Sequence, residues 1–273
     1  CHWLYYLFSA YHGYVRNCFL GRYRVSTISS QEATKEVFKS GFVTLIGRPS
    51  AGKSSLLNAL MGKKLAISSP TAQTTRHRFR AVHTTDSHQI IIVDTPGVHK
   101  PHDTLGEELN TTALKSLEGI DIAAFVLDAS APFGTGDEWV ISQLAQCSMP
   151  KLLVLSKIDL VTQEELELQR QRALEAGQWD GVVALSSVTG EQIDTFIELV
   201  EQFLPAGPLW FPADMETDQP IEVIIAEFIR EKILLTAHDE VPHAVGVVVE
   251  DMEYNRRKNL EKIYHYWKRW CCN

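Results

Sequence analysis

The segment Gly47-Arg48-Pro49-Ser50-Ala51-Gly52-Lys53-Ser54 restricts this chain more than any other eight residues, because an uninterrupted G-x-x-x-x-G-K-S has few structural solutions. The apolar run Phe42-Val43-Thr44-Leu45-Ile46 precedes it, and a helical segment with Ser55 in its first turn follows. That strand–loop–helix setting is the one in which the pattern makes a phosphate-binding loop. Each residue type has a reason. Glycines let the backbone curl so that successive N–H groups converge on phosphate oxygens, at a helix N-terminus whose dipole favours anions. Lys53 is expected to reach the β- and γ-phosphates, and the Ser54 hydroxyl to take a Mg²⁺ position.

Three more segments extend the site. Asp94-Thr95-Pro96-Gly97, with Val98 next, follows the apolar run Ile90-Ile91-Ile92-Val93. An Asp at the end of a buried strand can face Mg²⁺, usually through water, and the Gly97 N–H can approach the γ-phosphate. Ser156-Lys157-Ile158-Asp159 follows another apolar run, Lys151 to Leu155. A carboxylate at Asp159 can accept from guanine N1–H and the exocyclic amine. Adenine lacks that donor pair, so an unpaired carboxylate supplies the discrimination. Leu185-Ser186-Ser187-Val188-Thr189-Gly190 closes the last strand, where backbone N–H groups at Ser186 and Ser187 are placed to meet the guanine carbonyl.

The runs already named, together with Ile122 to Leu127 and Val182 to Leu185, are apolar at successive positions rather than at alternate ones. Strands buried on both faces read this way. Helical patterns lie between them, the last placing Ile193, Phe196, Ile197, Val200 and Leu204 on one face. Strand–helix alternation predicts an α/β fold: a doubly wound, mostly parallel sheet of the P-loop NTPase type over residues 41–204. Pro205, Pro208, Pro212 and Pro220 mark a linker over 205–220. Ile221 to Leu235 then reads as an amphipathic helix and Ala244 to Val249 as a strand, the start of a partial α+β segment over 221–252. Residues 253–273 are basic and aromatic, with Arg256, Arg257, Lys258, Lys262, Lys268, Arg269, Trp267 and Trp270, and read as a tail without further strands or helices. Residues 1–40 are aromatic-rich without a clean period and read as a poorly ordered leader.

Composition limits the partners. The chain carries 26 Lys and Arg against 34 Asp and Glu, a net charge of −8, so any nucleic-acid contact is local rather than spread over the surface. No stretch approaches the roughly 20 apolar residues of a membrane-spanning helix. The 5 cysteines include no C-x-x-C pair, which suggests neither a disulfide framework nor a zinc site and fits a reduced cytosolic setting.

The order and spacing of these motifs resemble a translation-factor-type GTPase, and more closely the Era family of ribosome-assembly GTPases. Ala72-Gln73-Thr74-Thr75-Arg76-His77-Arg78 resembles that family's first switch and Val93 to Pro101 its second. Phe211-Pro212-Ala213-Asp214 with Thr217-Asp218, then Ala226 to Ile233 and Glu240 to Glu250, resembles the entry to its C-terminal KH domain. The resemblance spans about residues 40 to 252 and implies GTP/GDP binding, Mg²⁺-dependent hydrolysis and a KH domain that grips the 3′ end of small-subunit (16S-type) rRNA. It implies Thr75, with Thr74 as the runner-up, as the switch threonine that ligates Mg²⁺ while the γ-phosphate is present. Ser54, Thr75 and Asp94 are then the metal set, and Lys53, Thr75 and Gly97 the catalytic one. A cytoplasmic monomer is favoured, with peripheral contact at the inner face of the cell membrane left open.

Several positions depart from the family pattern. Val98 stands where Ras-like enzymes carry the water-orienting Gln, which implies slow turnover or catalysis helped by an ion or partner. Ser50 replaces the Asn that helps hold potassium in related GTPases, which weakens the expectation of K⁺. Ser156 replaces the Asn of N-K-x-D, and its shorter side chain predicts weaker nucleotide affinity. No G-x-x-G loop follows Met252, and residues 206–252 hold 2 basic residues against 10 acidic ones. Two alternatives to the GTPase switch stay open: a nucleotide-responsive binding module with negligible hydrolysis, and a truncated product that binds GTP without KH-mediated RNA binding.

Overall fold

In the computed structural model of the chain, the described residues are 37–67, 79–94, 117, 119–236, 245–254 and 260–269. The leader's residues 1–36 lie outside them. Eight strands are described: β1 (Lys39–Ile46), β2 (Phe79–Thr84), β3 (His88–Asp94), β4 (Ile122–Asp128), β5 (Lys151–Ser156), β6 (Gly181–Ala184), β7 (Val245–Tyr254) and β8 (Leu260–Arg269). The helices are α1 (Lys53–Leu60), α2 (Thr135–Leu144), α3 (Gln163–Ala176), α4 (Ile193–Phe203) and α5 (Ile221–Thr236).

Six strands form one sheet in the order β2-β3-β1-β4-β5-β6, parallel throughout except for the antiparallel edge strand β2. The expected doubly wound, mostly parallel sheet is therefore present. Its interior strands are apolar at successive positions because helices cover both faces. On one face Leu56, Leu57 and Leu60 of α1 and Phe196 and Val200 of α4 pack with Val43, Leu45 and Val126. On the other, Val140, Ile141 and Leu144 of α2 and Ala173 of α3 pack with Phe125, Leu153 and Leu155. α3 starts at a capping box: Thr162 Oγ1 accepts from the Glu165 N–H and the Thr162 N–H donates to Glu165 Oε2. These bonds hold the Glu165 carboxyl below the ordinary range.

β1 begins at Lys39, two residues before the expected start of the domain, because Lys39 and Ser40 pair with His88 and Gln89 of β3. The proline-bearing stretch 205–220 is strapped to the sheet. Ser40 N donates to Pro205 O, Ser40 Oγ to Pro208 O, and Val82 N to Glu216 O. Gln89 is fully buried and makes the strongest attachment: its Oε1 accepts from Trp210 N and Phe211 N, and its Nε2 donates to Phe211 O and Thr84 Oγ1. Thr217 bridges Ala81 of β2, and Asp218 pairs with Arg80 at 3.0 Å, so the strap caps the open edge of the sheet.

α5 then returns to the body, where Lys64 pairs with Glu231 and lies over the Phe228 ring. It also packs against β7. The expectation that no strand follows Met252 is corrected here. β8 runs antiparallel to β7 from Val245↔Arg269 to Tyr254↔Leu260, with a bulge between Val249 and Asp251. The physical reason is that Leu260–Arg269 is rich in Ile, Tyr and Trp, residue types that favour pleated backbone, which outweighs the charge that made it read as a tail.

Candidate nucleotide site

The site lies where β1, β3, β4, β5 and β6 end at the same edge of the sheet. β1 runs into Gly47, where a Cβ would sit 2.3 Å from the Val126 carbonyl oxygen, so only glycine lets the loop leave so close to β4. Ser50 then takes a left-handed conformation at φ 61°, and Gly52 at φ 94° turns the chain into α1. Pro49 and Ser55 flank this turn half-buried, and Ala51 is buried beneath it. Arg48 is tied outward: its Nη1 donates to Asp137 Oδ2 at 2.9 Å, and the same oxygen accepts from Gly134 N at the start of α2.

Lys53 and Ser54 open α1, both buried. The Lys53 ammonium donates to the carbonyls of Gly47 at 3.1 Å and Arg48 at 2.9 Å, which holds it over the loop. Burial lowers its pKa from 10.5 to about 8, partly opposed by the negative charge of Asp94. A phosphate beside it would restore full protonation, since a nearby anion favours the charged form. Ser54 Oγ donates to Asp94 Oδ2 at 2.8 Å, and Asp94 is fully buried at the end of β3. Hydroxyl and carboxylate are hard oxygen donors, and their contact fits the needs of a Mg²⁺ ion that keeps several waters. Thr74, Thr75, Thr95, Pro96, Gly97 and Val98 lie outside the described residues.

The base-recognition segments converge on the same edge. Ser156 is buried opposite Asp128 of β4, with its Oγ 2.7 Å from Ala51 O and 3.1 Å from Leu127 O. Its hydroxyl therefore braces the phosphate loop, the half of the Asn role that depends on reach to the backbone rather than to the base. Lys157 is left-handed at φ 60° and leads into a short 3₁₀ turn, Ile158–Leu160. Its Nζ donates to Asp128 Oδ2 at 2.5 Å. Asp159 is exposed and accepts from Ser186 Oγ at 2.6 Å through Oδ1. Ser186 is buried, and its Oγ also accepts from Val188 N and Thr189 N, so one hydroxyl ties the last loop to the base-reading carboxylate. Ser187 follows it, half-buried. Ile158 N donates to Leu185 O at 3.4 Å, a second tie between the two loops.

Residues 42–157 match the model of a family described as 50S ribosome-binding GTPase. The chain is 41% identical over 232 residues to GTPase Era of Leuconostoc citreum, an alignment covering 84% of this chain and 76% of that protein. It is 42% identical over 242 residues to GTPase Era of Crocosphaera subtropica, covering 88% and 76%. The chain belongs to the Era family of GTPases. Its structure is similar to that of Era in complex with MgGDPNP and nucleotides 1506–1542 of 16S ribosomal RNA, at TM-score 0.75 and 32% identity, covering 81% of this chain and 75% of that one. An Aquifex aeolicus Era variant bound to GDP·AlF₄⁻ is similar at TM-score 0.74 with the same identity and coverage.

As an Era-family GTPase the chain binds and hydrolyses GTP. Three residues that tie distant segments together carry no spacing signal in the sequence: Asp128 and Asp137, which pair with Lys157 and Arg48, and Gln89, which holds Trp210 and Phe211. Each is a single polar residue whose partner lies far along the chain, so only the fold reveals it. The one available hint is a polar residue directly flanking an apolar run, as Gln89 does before Ile90–Val93. Among the described residues no helix is long and apolar enough to cross a membrane, and no three His, Cys, Asp or Glu side chains gather as a metal centre.

Proposed function

We propose that this chain is a guanine-nucleotide switch that hydrolyses GTP with Mg²⁺ and works in assembly of the small ribosomal subunit, with the 3′ end of its rRNA as partner. The single observation that carries the reading is the junction of Lys53, Ser54 and Asp94. A buried ammonium rests on loop carbonyls beside a hydroxyl–carboxylate contact of 2.8 Å, at the N-terminus of α1. In that arrangement the loop amides and Lys53 hold the β- and γ-phosphates and stabilise charge on the transferred group, while Ser54 and Asp94 hold the ion. An Mg²⁺ ion held by Ser54 and Asp94 would supply positive charge to offset that of the phosphates. Asp159, oriented by Ser186, accepts from the guanine edge and rejects adenine.

Thr75 and Gly97 are the residues by which the chain senses the γ-phosphate, and their reordering between GTP and GDP states is the output. The rRNA partner is supported by the solved Era complex with a 16S rRNA fragment. It is further supported by α5 and β7, the segment that resembles the entry to a KH domain.

The test is multiple-turnover phosphate release with Mg²⁺ and GTP or ATP, with and without an RNA of the small-subunit 3′ end. Slow release from GTP alone, lost in Lys53→Ala, is expected, as is binding of that RNA. Asp159→Asn is expected to move preference toward xanthine nucleotides. Equal release from ATP, or release that survives Lys53→Ala, contradicts the proposal. Tight GTP binding without release marks the non-hydrolysing module instead.

A further inference from the structure

Asp128 ends β4, outside every motif of the nucleotide site, yet its carboxylate is committed to that site. Oδ1 accepts from both the N–H and the hydroxyl of Ser130, at 2.9 and 2.6 Å, a tight local turn that fixes the carboxylate plane. Oδ2 is left facing Lys157 Nζ at 2.5 Å. The pairing is imposed by register, because Asp128 stands across from Ser156 and Ala129 N donates to Ser156 O at 3.0 Å. Lys157 is also held at its backbone, by the left-handed φ of 60°. Between these two anchors the side chain runs past the phosphate loop, with Cε 3.9 Å from where a Cβ on Gly52 would lie.

The stem therefore crosses from the base-reading carboxylate, two residues on at Asp159, to the loop that holds the phosphates. A free lysine stem carries about 2 kcal/mol of rotamer entropy, which binding a ligand against it would cost. Fixing the ammonium before the ligand arrives removes much of that cost. The ion pair also gives the ammonium's charge a partner away from the base, leaving the methylenes as a surface for the flat face of a purine.

We propose that Asp128 is a positioning residue for guanine-nucleotide binding: it pins the Lys157 ammonium and so holds the lysine stem across the gap between phosphate loop and base-recognition motif. This rests on the reading of Ser156–Asp159 as the base site. It also predicts a division of labour in which Asp128 acts on the nucleoside part of the ligand and not on the phosphates.

The experiment is a double-mutant cycle on the full chain with fluorescently labelled GDP, using Asp128→Asn, Lys157→Met, Lys157→Ala and the Asp128→Asn/Lys157→Ala double variant. Inorganic pyrophosphate serves as a competitor for the phosphate loop alone. Asp128→Asn is expected to weaken GDP about tenfold through faster dissociation, the free-energy scale of a single charge-assisted contact. Lys157→Met, which keeps the stem but loses the pin, is expected to match it. The double variant should bind no more weakly than Lys157→Ala, Asp128→Glu should recover part of the loss, and pyrophosphate competition should be unchanged. A merely structural role would weaken pyrophosphate as well. Lys157→Met reports the same coupling from the partner's side should Asp128→Asn fold poorly. Loss in Lys157→Ala without loss in either Asp128→Asn or Lys157→Met, or additive losses in the double variant, overturns this inference alone. Unchanged GDP affinity in Lys157→Ala overturns it together with the reading of the base site.

Discussion

β3 and β7 are both well-formed strands, and they differ in everything that surrounds them. Every residue of β3 is buried, with β1 on one side, β2 on the other and helices over both faces of the sheet. Among the described residues β7 has a single partner strand and the flank of α5, and Val248 at its middle is 50% exposed. The carboxylate on which the nucleotide site depends, Asp94, closes β3. A functional group held by the best-packed strand keeps its geometry without help from the ligand, which is how a site comes to be preorganised. A two-stranded ribbon is marginal by itself and draws its order from what it packs against. Chemistry thus sits on the stiff element, and the ribbon end of the molecule is the place for adaptable contact.

Four perturbations break or sharpen that contrast. The largest effect is expected from Gln89→Ala. It leaves Trp210 N, Phe211 N and Phe211 O without their buried partner, and stability measured by urea unfolding should fall by about 2–3 kcal/mol. A loss below about 0.5 kcal/mol would show that the strap contributes nothing to the stiff unit.

Next is pH. Because the folded pKa of Lys53 is about 8 and its ordinary value 10.5, the unfolded chain binds more protons between these values. Nucleotide-free stability therefore rises as pH increases through that window, by on the order of 2 kcal/mol between about pH 8 and pH 10. Lys53→Met should lose this rise relative to the parent; an identical slope in both would place the ammonium in water.

Ser50→Asn is a smaller test. It puts a residue that tolerates left-handed backbone where φ is 61°, and should add about 0.5 kcal/mol in thermal unfolding. The smallest effect is expected from deleting residues 255–273, which removes β8. The unfolding transition of the six-stranded sheet should stay within about 0.5 kcal/mol, because among the described residues β8 pairs with β7 and with no strand of that sheet. A large drop would mean that the ribbon supports the sheet, and the contrast drawn above would fail.

Five of the six sheet strands are visible as apolar runs, the interior ones because burial on both faces demands apolar residues at nearly every position and the edge strand β6 because Gly-Val-Val-Ala carries no charge. β2 is not. Its sequence, Phe-Arg-Ala-Val-His-Thr, mixes charge with apolar residues as an edge strand does, and only Ala81 and Val82 are buried. β8 escaped because its Lys and Arg residues made it resemble a tail. The prolines of 205–220 mark a linker. Proline forbids regular structure yet says nothing about attachment, and Gln89 supplies that from β3. At the site, residue types and spacing were legible because phosphate and guanine chemistry dictate them. Which groups hold those residues in place was not, since Asp128 and Asp137 act through contacts 29 and 89 residues apart in sequence. Ser156 illustrates both sides. Its short side chain was apparent, whereas its bond to Ala51 required the fold.

The most direct measurement of the central claim, a guanine-nucleotide site built on the stiff edge of the sheet, is equilibrium binding of labelled GTP, GDP and ATP with Mg²⁺ to this chain and to Lys53→Ala. The account predicts that GTP and GDP bind, that ATP does not, and that Lys53→Ala weakens guanine nucleotides by roughly a hundredfold, the scale of a lost charged contact to phosphate. A folded chain that binds no guanine nucleotide, or binds GTP and ATP alike with no dependence on Lys53, would contradict it.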